Sequence, residues 1–213
     1  MIVAGDILLI ILSFALFGFL HSFLASPRFK EKLIKEAGTL IAFYRIIYNL
    51  IALFFFVLMY ELLPHPDYVI YDLPTPWDLI ILVPQLLSLA GILWTLKYFS
   101  SLEFLGINQV RRWFKGEYRI EDMDERLTLR IEGPYRFSRH PIYLFTILFL
   151  LFRPVMDIFY LTFFLCIVAY FYAGSFFEEK KLIKTFGERY LEYKNSVPRI
   201  FPVKFSGKVI NDV

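Results

Sequence analysis

The sequence predicts an all-α integral membrane protein with five transmembrane helices, the last two forming a helical hairpin. Three observations support this fold class. Of the 213 residues, 58% are hydrophobic, the apolar residues lie in long runs, and most Lys and Arg residues lie between those runs. A soluble domain of this size is normally about half apolar, with its charges spread along the chain. The segregation of charge from apolar sequence therefore indicates a membrane protein.

Five apolar runs account for the predicted helices, since a bilayer core takes about 20 apolar residues as helix. No basic residue precedes the first run, so it predicts a retained helix and not a signal peptide. The fourth run is short and closes at Arg153-Pro154, which predicts a tight turn into the fifth. The predicted spans are Ile2–Leu24, Leu40–Leu63, Leu79–Tyr98, Ile142–Leu151 and Val155–Phe177.

The distribution of basic residues predicts the orientation. Of 23 Lys and Arg residues, 21 lie in three segments: the loop 26–39, the segment 97–139 and the tail after residue 177. The connection 61–78 has four acidic residues and no basic one. The positive-inside rule then places the N-terminus outside and the C-terminus in the cytoplasm of a cell inner or plasma membrane, and five spans satisfy that parity.

This topology predicts a single membrane domain over residues 1–213. Three N-terminal spans occupy 1–99, a cytosolic connector 100–140, the helical hairpin 141–177, and a cytosolic helix and tail 178–213. The connector and the tail share the cytoplasmic side, so we expect any site that they form together to open to cytosolic metabolites.

The densest polar stretch of the connector is GPYRFSRHPIY, residues 133–143. Pro141 suits the first turn of a helix, which puts Arg139 and His140 at a helix N-terminus, where unpaired N–H groups favour an anion. Arg136 adds a guanidinium able to hold a carboxylate. The alternative is that these arginines only anchor the helix at the lipid phosphates.

A second polar stretch follows the last span and begins with Glu178 and Glu179. A carboxylate at the end of an apolar helix is costly unless it is paired or functional. The alternative is an interfacial amphipathic helix with Glu–Lys pairs. Because the two spans between the stretches form a hairpin, both stretches return to the same side, which favours a shared site.

The second stretch reads FEEKKLIKTFGERYLEYKNSVPRIFP and covers residues 177–202. Together with the first stretch and the hairpin between them, it resembles the isoprenylcysteine carboxyl methyltransferase superfamily, which includes phospholipid methyltransferases. Looser matches at 21–26, 45–49 and 104–110 resemble the methanethiol S-methyltransferase group. The resemblance implies S-adenosylmethionine as cofactor, in a cytosolic pocket closed by the C-terminal helix and tail. It implies that Arg199 and Pro202 close this pocket, and that the contacts come from the two motifs. We expect the cofactor-binding residues to be Tyr135, Arg136, Arg139, His140, Pro141, Tyr143, Glu178 and Glu179.

Methyl transfer from a sulfonium needs alignment and exclusion of water, and no metal. The three histidines are far apart in the sequence and offer no metal site. A thiol acceptor must be presented as thiolate, and Arg45, with Tyr44 and Tyr48, or Asn108 with Gln109, are candidates for stabilising it. We expect Arg45, Asn108, Gln109 and Arg199 to be the catalytic residues.

The acceptor itself stays open. The main hypothesis is a small thiol or a lipidic, isoprenylcysteine-type acceptor, and a phospholipid amine is the alternative. A non-catalytic membrane protein with the same fold is a further possibility. A sterol-type reductase shares the VPRIFP-like tail but is much larger. The bilayer and a methyl acceptor are the expected partners, with no nucleic acid and no metal.

Overall fold

The computed structural model describes residues 2–124 and 128–202, and most of these are helical. The structure has ten α-helices and two short strands within those ranges. In chain order the elements are α1 (Ile2–Leu24), α2 (Pro27–Ala37), α3 (Tyr44–Leu62), β1 (Val69–Asp72), α4 (Trp77–Ile80), α5 (Leu82–Leu96), α6 (Ser101–Leu105), α7 (Ile107–Phe114), α8 (Pro141–Leu151), β2 (Val155–Asp157), α9 (Ile158–Phe186) and α10 (Glu188–Ser196).

Four helical segments within the described residues are long and apolar enough to cross a membrane: Val3–Leu24, Pro27–Leu62, Trp77–Leu96 and Ile158–Phe186. The second comprises α2, a 3₁₀ helix at Gly38–Phe43 and α3, and the third comprises α4 and α5. Helix α8 is apolar but shorter than these four. The chain is therefore an all-α membrane protein, as the sequence predicts.

Two segments differ from the sequence-based boundaries. The basic segment 26–39, expected to be a loop, is largely helix α2, because Ser26 caps its first turn and Pro27 occupies the first helical position. The expected fifth span began at Val155, whereas residues Val155–Asp157 form strand β2 and helix α9 begins at Ile158. Asp157 caps α9 by accepting a hydrogen bond from the backbone N of Tyr160 at 2.7 Å.

The chain folds as two compact units. Unit 1 comprises the described residues within 1–66 and 100–126, and unit 2 those within 67–99 and 127–213. In unit 1, α1 packs on α3 through edge-to-face rings such as Phe14 and Phe56. Gly106, at φ 88°, makes the turn between α6 and α7 and lies so close to α3 that an added Cβ would be 2.8 Å from the backbone N of Ile46.

Unit 2 is built on the packing of α5 against α8. Gly91 permits their close approach, because a Cβ there would collide with the ring of Phe145. A core of Leu144, Ile147 and Phe164 joins α8 to α9 and also receives Ile200 from the tail. Strands β1 and β2 pair antiparallel, so the turn of the α8–α9 hairpin is hydrogen-bonded to the segment that precedes α4.

Candidate functional site

The polar centre of unit 2 is the carboxylate of Glu179, on α9 beyond its apolar part. Its side chain is only 3% exposed and is surrounded by cations. Arg139 lies 2.8 Å from Oε1, and Arg199 and Lys194 lie 3.2 and 3.8 Å from Oε2. A buried charge is tolerated only when it is paired and hydrogen-bonded, and Glu179 satisfies this condition.

Arg139 connects Glu179 to helix α10. Its Nε donates to Glu179 at 2.9 Å, while Nη1 donates to the carbonyls of Lys194 and Val197 at 2.6 and 2.7 Å. The last carbonyls of a helix lack intrahelical partners and carry partial negative charge, which a guanidinium neutralises. Arg139 therefore caps the end of α10, and its buried guanidinium holds α10 to α9.

The tail is bound to the segment that precedes α8. The backbone N–H groups of Arg139 and His140 donate to the carbonyls of Pro198 and Arg199 at 2.9 and 3.0 Å. The guanidinium of Arg199 stacks 3.6 Å from the ring centre of Phe176. These two N–H groups, which the sequence suggested for an anion, are thus occupied by tail carbonyls.

The accessible edge of this centre is formed by Glu178, whose side chain is 48% exposed. Its Oε2 lies 3.3 Å from His140 Nδ1 and accepts a hydrogen bond from the hydroxyl of Tyr143, also at 3.3 Å. The rings of His140, Tyr143 and Phe171 are stacked in that order, with centres 5.3 and 4.6 Å apart. Burial alone lowers the pKa of His140, but its hydrogen bonds to Glu178 and Glu179 outweigh burial and raise that pKa.

The remaining predicted residues of the first motif have different environments. Tyr135 belongs to the 3₁₀ turn Gly133–Arg136, and its carbonyl accepts a hydrogen bond from the hydroxyl of Tyr193 at 2.7 Å. Pro141 is buried at the start of α8, whereas Arg136 is exposed. Pro202 in the tail is also exposed. Unit 2 thus brings together Arg139, His140, Tyr143, Glu178, Glu179 and Arg199.

The other three predicted residues, Arg45, Asn108 and Gln109, gather in unit 1 around Glu103, which sequence reasoning missed. Arg45 Nη1 and Gln109 Nε2 donate to the carbonyl of Glu103 at 3.4 and 3.1 Å, and Asn108 Nδ2 donates to its carboxylate at 3.1 Å. Arg112 makes a two-pronged bond to that carboxylate at 2.7 and 3.1 Å, which lowers the pKa of Glu103. Glu103 and Arg112 are nine positions apart, which is not the spacing of a contact within one helix, so the sequence carried no signal for this pair.

Three residues of helix α10 were also missed in unit 2: Tyr190, Tyr193 and Lys194. The two tyrosines are three apart, which is the spacing of one helix face, and both are almost fully buried. That spacing was the available signal, but it is equally typical of an ordinary apolar face.

These features define a class of protein: an integral membrane protein of apolar helices with a buried ionic network and an accessible carboxylate beyond the apolar part of a spanning helix. The family model described as phospholipid methyltransferase matches residues 80–189, which include α5, α8, α9, the first motif and the Glu178–Glu179 start of the second. The chain belongs to this family of membrane methyltransferases, and the resemblance drawn from the motifs is confirmed.

Curated relatives extend the similarity over most of the chain. Methanethiol S-methyltransferase 1 of Bradyrhizobium diazoefficiens is 32% identical over 207 residues, covering 93% of this chain and 68% of that protein. Methanethiol S-methyltransferase of Crocosphaera subtropica is 29% identical over 143 residues, covering 63% of this chain and 52% of that protein. Methanethiol S-methyltransferase 2 of B. diazoefficiens is 28% identical, covering 98% of this chain and 78% of that protein. No solved structure matches the chain.

Proposed function

We propose that the protein is an S-adenosylmethionine-dependent membrane methyltransferase that transfers a methyl group to a small thiol. The observation that carries the proposal is the meeting of the two motifs in unit 2, where Arg139 and His140 contact the Glu178–Glu179 pair. Membership of a methyltransferase family and three relatives named for a thiol acceptor support the choice of reaction.

The donor set of unit 2 fits the proposed cofactor. S-adenosylmethionine presents ribose hydroxyls and an amino group, all of which donate hydrogen bonds. The half-exposed carboxylate of Glu178 is a suitable acceptor for them. It also presents a carboxylate, which suits a network in which Arg139, Arg199 and Lys194 outnumber the two glutamates. The cofactor supplies the electrophilic methyl group when bound.

We divide the eight proposed cofactor residues by burial. Glu178, Tyr143 and the exposed Arg136 are the groups that a ligand reaches from outside. Glu179 and Arg139 have their charges and donors committed to each other and to α10, so they position the site from within. His140 contacts both glutamates and links the two groups. Tyr135 and Pro141 set the backbone of the turn that presents them.

The proposed reaction is an in-line methyl transfer, in which S-adenosylmethionine held by unit 2 would supply the methyl group to the acceptor's thiolate, with S-adenosylhomocysteine as the other product. The acceptor must lose its thiol proton before attack. Arg45, Asn108, Gln109 and Arg199 are the proposed catalytic residues. In the structure, side-chain donors of the first three contact Glu103. We therefore propose that Arg45, Asn108 and Gln109 are positioning residues, which hold the α6–α7 turn in place, and that Arg199 acts through its ion pair with Glu179.

The proposal includes the topology drawn from the charges. Five spans, with α8 as the short fourth one, place the N-terminus outside and the connector and tail in the cytoplasm of a cell inner or plasma membrane. The domain description over 1–213, with its connector at 100–140 and tail at 178–213, follows from the same arrangement. The pocket then opens to cytosolic cofactor.

A phospholipid amine is the second candidate acceptor, favoured by the description of the family whose model matches 80–189. A lipidic, isoprenylcysteine-type acceptor would use the same cofactor site. A labelled methyl group followed from S-adenosylmethionine into methanethiol, a prenylcysteine or phosphatidylethanolamine separates the three. Transfer to none of them, in a protein that binds the cofactor, leaves the non-catalytic alternative.

Calorimetric titration of the detergent-solubilised protein with S-adenosylhomocysteine tests the proposal. We expect binding by the wild type, clear weakening in Glu178→Gln, and wild-type affinity in Glu192→Gln, which removes an exposed carboxylate of α10 as a matched control. A folded wild-type protein that does not bind would refute the proposed function. Normal binding by Glu178→Gln would refute the assignment of the accessible edge.

A further inference from the structure

Helices α6 and α7 expose four large apolar side chains, although neither helix is long enough to cross a membrane. The helices have 5 and 8 residues. Phe114 is 73% exposed, and Leu102, Phe104 and Leu105 are 42%, 45% and 43% exposed. Single exposed apolar residues are common on proteins, but a group of them on two neighbouring short helices marks an interaction surface.

Contacts with α3 define the level of α6 along a helix of membrane-spanning length. Asn49 Nδ2 donates to the carbonyl of Phe104 at 3.0 Å, and the guanidinium of Arg45 lies 5.9 Å from the ring centre of Phe104. Helix α3 has 19 residues and is therefore about 28 Å long, close to the roughly 30 Å of a hydrocarbon core. Since Arg45 and Asn49 belong to its first two turns, α6 lies within about 8 Å of one end of α3.

Helix α7 lies at the same end of α3. The rings of Trp113 and Phe114 contact that of Phe43, the residue directly before α3, with ring centres 5.2 and 6.2 Å apart. Arg111 and Lys115 are exposed beside Phe114. Because residues three apart share one face of a helix, Arg111 and Phe114 lie on the same side of α7.

The charges of this surface suit lipid phosphates. Between residues 101 and 115 the sequence has three basic residues and one acidic residue. That acid, Glu103, is bound by Arg112, so the surface presents the charges of Arg111 and Lys115. A helix that lies in a membrane surface combines such cations with large apolar side chains, which enter the boundary between headgroups and acyl chains by about 5–10 Å.

We propose that α6 and α7 lie in the headgroup region of the bilayer. The four apolar side chains insert between the lipids, and Arg111 and Lys115 bind phosphates. The connector 100–140 was expected to be cytosolic, and the proposal places its first part in the membrane surface. This lipid-binding surface does not depend on the proposed reaction, but it does require that α3 crosses the bilayer.

The test uses the full chain in vesicles of equal parts phosphatidylcholine and phosphatidylglycerol. Cys166→Ala removes the one cysteine of the chain, and Leu102→Cys or Phe114→Cys then carries a fluorescent label. Phe55→Cys, on an exposed position in the middle of α3, is the control within the lipid, and Glu121→Cys, at an exposed acid, is the control in water. Fluorescence is quenched either by a nitroxide on the lipid chain, placed near the headgroup or near the chain end, or by iodide in the water.

We expect the labels at Leu102 and Phe114 to lose most fluorescence to the nitroxide near the headgroup and to be shielded from iodide. The label at Phe55 should respond most to the nitroxide near the chain end, and the label at Glu121 only to iodide.

Three results would overturn the proposal. Quenching of the labels at Leu102 and Phe114 by iodide and by neither nitroxide would mean that the surface faces water. Quenching by none of the three would mean that a protein covers the surface. A label at Phe55 that responds to iodide alone would remove the premise that α3 crosses the bilayer.

Discussion

Replacing Glu179 by Gln removes the charge at the centre of the ionic network while it keeps the shape of the side chain. Arg139, 7% exposed, and Arg199, 18% exposed, then lose their shared carboxylate. Removing one partner of a buried ion pair costs roughly 3–5 kcal/mol, because the remaining charges stay buried. In a chain of about this size, 1 kcal/mol shifts the melting temperature by about 2–4 °C. We therefore expect the melting temperature to fall by roughly 6–20 °C.

Glu178→Gln is the matched control, since it alters the neighbouring residue in the same way. The side chain of Glu178 is 48% exposed and its contacts with His140 and Tyr143 are both 3.3 Å long. An exposed ion pair contributes at most about 1 kcal/mol, so the control should lose less than about 4 °C. Circular dichroism of detergent-solubilised protein during heating gives both values. Equal melting temperatures for the two variants would refute the assignment of Glu179 as the buried centre.

Three further predictions use the same heating experiment. Gly106→Ala should destabilise the protein more than Gly116→Ala. Both glycines have positive φ, but only at Gly106 would the added Cβ lie within 3 Å of backbone, and overpacking costs about 1–3 kcal/mol. Equal losses of stability in the two variants would rule out the packing argument. Because the pKa of His140 is raised in the folded protein, protonated His140 stabilises the fold below about pH 6.5. That stabilisation is lost as the pH rises through the folded-state pKa. The wild type should therefore lose stability over that rise and His140→Gln should not, so parallel pH profiles would contradict this. Asp157→Ala should lower the free energy of unfolding by about 0.5–2 kcal/mol, because the cap of α9 is lost. Asp157→Asn should keep most of the stability, since Asn also caps helices; an equal loss of stability in both variants would argue against capping.

The membrane helices and the meeting of the two motifs were predictable from the sequence. Length and hydrophobicity indicate a spanning helix directly, because the bilayer admits few other structures. A hairpin of two spans returns the chain to the side from which it started. Arg139 and Glu179 are 40 residues apart, and the hairpin predicted that their stretches lie on one side, but it did not predict the direct bond between them.

The partners of individual side chains were not predictable in the same way. The bonds from Arg139 to the end of α10 depend on where that helix stops, and Glu103 meets Arg112 across a turn formed by Gly106. The pairing of β1 with β2 is also long-range, joining residue 69 to residue 157. Such contacts are set by tertiary packing, which local periodicity does not encode.

The binding of the tail to the start of α8 has a consequence for biosynthesis. Pro198 and Arg199 supply carbonyls to Arg139 and His140, and Arg199 supplies a guanidinium to Glu179. During translation, Arg199 is the last of these residues to be made, after α8 and α9. Until the tail has followed α9 out of the ribosome, Glu179 lacks one of its cations. Completion of the ionic network is therefore a late step of biosynthesis, and a chain arrested before residue 198 would keep Arg139 and Glu179 but lack the tail carbonyls and the Arg199 guanidinium.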